Sequence, residues 1–239
     1  MIPLRDENPT RTTPWVLYGL ILTNVVVFIY YSVNSPGNRL TGFELIPYEI
    51  TTGKLIGPAP LGIWATIFTS MFLHANLLHI GGNMLYLWIF GNNIEDVLGH
   101  FRFLAFYFVS GIGAAALQIW SDPLSKIPMI GASGAIAGVL AAYLYLFPRA
   151  RVTVLIFLFI FVQYVVLPAY IVLGFWIILQ ALNWLMSAGS TAGSNGGVAF
   201  AAHIGGFSTG MILTLLMGGR KLLQGRRSVE YHQPRGWMD

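Results

Sequence analysis

The sequence predicts an all-α membrane protein, a bundle of six transmembrane helices with both termini on the cytoplasmic side. Three observations carry this: the composition, the lengths of the apolar runs, and the distribution of basic residues. The 239 residues are 56% hydrophobic and 9% charged, with a mean hydropathy of +0.68. A water-exposed surface does not tolerate that balance, because too few charged side chains remain to cover it.

About 20 apolar residues are needed to cross the hydrocarbon core. Five runs meet or approach that length: Trp15 to Val33, Leu77 to Leu98, Phe101 to Trp120, Met129 to Phe147, and Val198 to Met217. Between the last two lies an apolar stretch from Val152 to Met186, too long for one span and short for two. Pro168 divides it, so Pro168 to Met186 is read as the fifth span. Val152 to Leu167 is then expected to be an apolar loop lying against the membrane or dipping into it.

Charge decides between six spans and seven. With six, ten basic residues share one side: Arg5, Arg11, Arg102, Arg149, Arg151, Arg220, Lys221, Arg226, Arg227 and Arg235. The other side keeps three, Arg39, Lys54 and Lys126. This is the asymmetry of the positive-inside rule for cytoplasmic termini, and a seventh span would export the basic tail. The expected organisation is a cytoplasmic segment 1–14, a membrane domain 15–218, and a basic cytoplasmic tail 219–239. The first run is read as a retained anchor, and the long connection Asn34 to Gly62 is placed on the outer side.

The chain has no cysteine, which excludes thiolate metal sites and a cysteine nucleophile. Its basic residues sit in short loops and the tail, without the aromatic-interleaved stripe of a nucleic-acid surface. No nucleic-acid partner and no cofactor are expected.

Polar side chains inside spans are costly, so each requires a reason. Gly131-Ala132-Ser133-Gly134 opens the fourth span at its outer end; seen alone, it reads as a small-residue packing face with Gly138 as readily as an exposed nucleophile. His203 stands in a small-residue stretch near the outer end of the sixth span. Both spans run from outside to inside, so Ser133 and His203 reach similar depths below one surface, which favours a catalytic pair. His79 and Asn83, four residues apart at the outer start of the second span, share a helical face. They could hold the negative oxygen of a tetrahedral intermediate or clamp two helices together. A metal site using His74, His79 and His203 would call for a carboxylate nearby. The acids Glu95, Asp96 and Asp122 are read as remote from His203, so no metal and no third catalytic acid are expected.

These elements together resemble the rhomboid family of intramembrane serine proteases: His79 and Asn83 in H-x-x-x-N, Ser133 in G-x-S-G, and His203 in A-H-x-x-G, in order across the six-span core. The resemblance also takes in the run Gly206-Phe207-Ser208-Thr209-Gly210, which in the family brings the sixth helix against the fourth. It implies that Ser133 attacks the peptide carbonyl and that His203 transfers the proton through an acyl-enzyme. It further implies an oxyanion hole from His79, Asn83 and the Ser133 backbone, packed by Gly131, Gly134, Gly206 and Gly210. The implied substrates are single-span membrane proteins, met in a cell membrane at a site open to the extracytoplasmic side. Two departures stand out. Ala65 follows Trp64, where many members have Trp-Arg, and Ala137 stands where some carry a tyrosine under the histidine. Orientation of His203 is therefore expected from packing. The alternatives are an inactive rhomboid-like binding or quality-control protein and, more remotely, a His-lined transporter.

Overall fold

A computed structural model describes residues 1–34, 41–158, 161–187 and 199–232. Arg39, Val198 and Arg235 of the topology argument lie outside the described residues. In chain order the elements begin with strand β1 (Ile2–Asp6), helix α1 (Trp15–Asn34) and the short helices α2 (Pro47–Thr52) and α3 (Thr66–Thr69). Three long helices follow: α4 (Leu77–Leu98), α5 (His100–Ser121) and α6 (Ser133–Leu146). Strands β2 (Arg151–Leu158) and β3 (Phe161–Pro168) lead to α7 (Ala169–Ser187), α8 (Phe200–Leu216) and α9 (Gly219–His232).

Among the described residues, three helical segments are long and apolar enough to cross a membrane: α1, α5 and Ala169–Met186 of α7. The count is five if two sharply bent pairs are each one span, Ile63–Phe72 with α4 and α8 with the start of α9. The chain is a multi-pass membrane protein. Met129 to Phe147, expected as a full span, is helical only from Ser133, for 14 residues. At 1.5 Å per residue α6 is about 21 Å long, well short of a hydrocarbon core of about 30 Å. The preceding segment is not helical because Gly131 takes φ +116°, outside the helical region.

That short helix is the centre of the bundle. Every residue from Gly134 to Tyr143 is buried, and Leu146 with them. Backbone that is not helical at membrane depth is tolerated only where protein or trapped water satisfies it. Here protein does so: Gly131 N–H donates to Ser70 O at 2.9 Å, and Met129 and Leu45 exchange backbone bonds at 2.7 and 3.2 Å.

The all-α expectation is corrected by a three-stranded antiparallel sheet, ordered β1-β2-β3. Val152 to Leu167, expected as an apolar loop against the membrane, forms the β2–β3 hairpin, with Val152 opposite Leu167 and Leu155 opposite Tyr164. The sequence of this stretch is rich in valine and other β-branched or aromatic residues, which suit a pleated surface. The second cause is remote in sequence: β1 pairs with β2, Ile2 opposite Leu155 and Asp6 opposite Val152. Both edges of β2 are thus satisfied, and Val152 and Val154 join the core.

Buried acids fix this end of the bundle. Glu95, fully buried, accepts from Val16 N–H at 3.0 Å and Leu17 N–H at 2.7 Å, capping the start of α1 where N–H groups lack helical partners. His100 Nδ1 lies 2.5 Å from the same carboxylate. Asp96 accepts from Thr12 N–H and Oγ1–H at 3.0 and 2.6 Å. The start of α9 packs here too, since a Cβ on Gly219 would stand 3.2 Å from Leu146.

Candidate active site

Ser133 is the first residue of α6, behind Ala132 as its N-cap. At that position its own N–H has no acceptor within the helix, and the helix dipole adds positive potential. Ser133 Oγ lies 2.9 Å from His203 Nε2, and both residues are half-buried. They are 70 positions apart in the chain and are brought together by contact of α6 with α8.

That contact depends on glycine. A Cβ on Gly206 would fall 1.9 Å from Gly134 O, and one on Gly210 would fall 2.3 Å from Gly138 Cα. Gly134 in turn would meet Ala114 of α5 at 2.5 Å. Two backbones therefore touch over successive turns, and Ser133 and His203 sit just above the first of these contacts.

His79 and Asn83 flank the segment leading to Ser133. The Asn76 side chain caps α4 by accepting from His79 N–H at 2.9 Å. A Cβ on Gly131 would lie 2.7 Å from His79 Nε2 and 3.4 Å from Asn83 Nδ2, so both side chains crowd onto a glycine two residues before Ser133. Asn83 Nδ2 is also 2.8 Å from His74 Nε2. An amide NH2 can only donate, so His74 Nε2 accepts. Among the described residues, no cluster of three or more His, Cys, Asp or Glu could hold a metal ion.

The sequence reading missed two residues of α7. Gln180 Oε1 lies 2.7 Å from His203 Nδ1, and the Trp176 ring stands 5.6 Å from the imidazole, tilted by 40°. The expectation that packing alone orients His203 is corrected: a hydrogen bond holds its second nitrogen, and an α7 indole lies beside it. A glutamine in a largely apolar span, which it shares with Asn183, was the available signal. Gln118 accepts from Ala202 N–H at 3.3 Å, and so secures the start of α8. The long connection between α1 and α4 is tied to the segment before Ser133 by the Leu45–Met129 bridge, by Tyr48 N–H to Ser125 O at 2.9 Å and by Thr51 Oγ1–H to Pro123 O at 2.6 Å. Trp64 is exposed.

Residues 61–220 match the family model described as Rhomboid domain. The chain is similar to "Rhomboid protein 1, mitochondrial" of Saccharomyces cerevisiae, 31% identical over 202 residues, covering 82% of this chain and 51% of that one. It is similar to "Rhomboid protease AarA" of Providencia stuartii, 33% identical over 141 residues, covering 52% and 47%. It is also similar to "Rhomboid protease GluP" of Bacillus subtilis, 33% identical over 132 residues, covering 55% and 24%. The chain thus spans about half or less of the length of these relatives. The matched segment holds α4 to α8 with Ser133, His203, His79 and Asn83, and by it the chain belongs to the rhomboid family.

Proposed function

We propose that the protein is an intramembrane serine endopeptidase that hydrolyses peptide bonds in or near transmembrane segments of single-span membrane proteins. The observation that carries the reading is the 2.9 Å approach of Ser133 Oγ to His203 Nε2 in a chain of this family. His203 takes the hydroxyl proton as Ser133 Oγ bonds to the carbonyl carbon. The same proton then goes to the departing amine, leaving an acyl-enzyme that water hydrolyses by the reverse proton path.

The oxyanion receives hydrogen bonds from His79, Asn83 and Ser133 N–H, with the α6 dipole behind them. Six spans place both termini in the cytoplasm and the site towards the extracytoplasmic face of a cell membrane. The inward-running α6 starts below that face, so water reaches Ser133 through protein and not through lipid. No cofactor or metal enters any step.

The test is hydrolysis of a single-span substrate by the purified chain in liposomes. Ser133→Ala and His203→Ala each abolish cleavage while helical content is unchanged. Cleavage that persists in Ser133→Ala refutes the reading, and a wild type that binds such substrates without cutting them favours the inactive binding protein instead.

A further inference from the structure

Resting on that reading, we propose that Gln180 is a positioning residue that holds His203 in the one tautomer able to act as base. A neutral imidazole carries its proton on one nitrogen only. To accept from Ser133, Nε2 must be bare and the proton must sit on Nδ1. The only group bonded to Nδ1 among the described residues is Gln180 Oε1, at 2.7 Å.

The glutamine could in principle turn its amide and enforce the opposite tautomer, donating NH2 to Nδ1 and leaving the proton on Nε2. A second bond selects against this. Gln180 Nε2 donates to Trp176 O one turn back, at 3.4 Å, which directs Oε1 towards the imidazole. The Trp176 ring lies against His203, so backbone and side chain of one residue fix both partners. As proton transfer proceeds, Nδ1–H stays bonded to a carbonyl whose dipole favours the imidazolium. A neutral amide thereby supplies the orientation that a buried carboxylate supplies elsewhere, without placing a second ion at membrane depth.

The decisive experiment combines two readouts on the full chain in detergent. In nitrogen NMR of histidine-labelled protein, His203 is assigned by its loss in His203→Ala. Wild type shows the Nδ1–H tautomer, and Gln180→Leu shows a mixture or the reverse. In peptide hydrolysis, Gln180→Leu lowers kcat about 10- to 100-fold with KM within about twofold. Gln180→Glu keeps an acceptor facing Nδ1, and so retains the Nδ1–H tautomer and most of the rate. The proposal is overturned if wild-type His203 carries its proton on Nε2, or if Gln180→Leu leaves tautomer and kcat unchanged. It is equally overturned if Gln180→Glu, which keeps an acceptor, loses the Nδ1–H tautomer. The tautomer is read without turnover, so it decides the proposal even if Ser133→Ala were to show that the protein is not a serine peptidase.

Discussion

A serine hydroxyl becomes a nucleophile only if a base is held at hydrogen-bond distance and the developing oxyanion meets fixed donors. In the proposed mechanism these requirements converge at Gly131, because His79 and Asn83 both press against its hydrogen-only side. Gly131→Ala therefore meets two penalties, a left-handed φ of +116° and a Cβ 2.7 Å from His79 Nε2. Cleavage should fall at least 100-fold with helicity retained, in line with loss of an oxyanion donor; a fall of less than threefold would show that these donors do not serve the reaction. His79→Ala and Asn83→Ala singly should each cost about 10- to 1000-fold in kcat, measured at saturating substrate. The sequence motifs pointed to Ser133, His203, His79 and Asn83, and the structure brings the first two to 2.9 Å and sets the other two against Gly131. Gln180 was not, because its bond to His203 depends on how α7 leans on α8. Periodicity within either helix does not encode that angle.

At the scale of elements, the α6–α8 contact is the most sensitive part of the fold. Gly206→Ala puts a methyl 1.9 Å from a backbone oxygen of Gly134, which no side-chain rotation relieves. We expect destabilisation of about 3 kcal/mol or more, in the range of severe overpacking, read as a lowered Tm in detergent. Gly174→Ala on α7, where an added Cβ meets nothing within 4 Å, should change Tm little. The β1 contact behaves differently. Asp6 accepts from Tyr143 O–H at 2.5 Å and Asn93 Nδ2 at 2.9 Å, and burial holds its carboxyl above the ordinary 3.8, partly offset by these bonds.

The folded state thus binds the Asp6 proton more tightly than the unfolded chain does, so this group adds stability as pH falls towards 3.8 and loses it as pH rises through the folded value. Relative to Asp6→Asn, wild type should gain Tm on acidification through that window; a parallel pH dependence would contradict this. Asp6→Ala should cost about 1–3 kcal/mol by leaving buried partners unsatisfied. The helices around this latch were legible from apolar run length. The hairpin was not, because an apolar, valine-rich stretch reads alike as membrane contact or strand until β1, some 150 residues earlier, is known to pair with it.

For the whole molecule, the sheet joins the N-terminal strand to the α6–α7 connection, and α9 starts beside Leu146, so these segments share one end of the bundle. In the proposed topology that end is cytoplasmic. The absence of native cysteine makes Glu7→Cys, Gln224→Cys and Lys54→Cys clean reporters: the first two should react with an impermeant maleimide from one side of sealed vesicles, and the third from the other. Labelling of all three from one side would refute six spans.

The central claim, a serine nucleophile activated by His203, is tested most directly by mapping the adduct of a fluorophosphonate on the purified chain. The account predicts a single modified peptide containing Ser133, lost in Ser133→Ala and in His203→Ala. An adduct on another residue, or labelling undiminished in either variant, would contradict it.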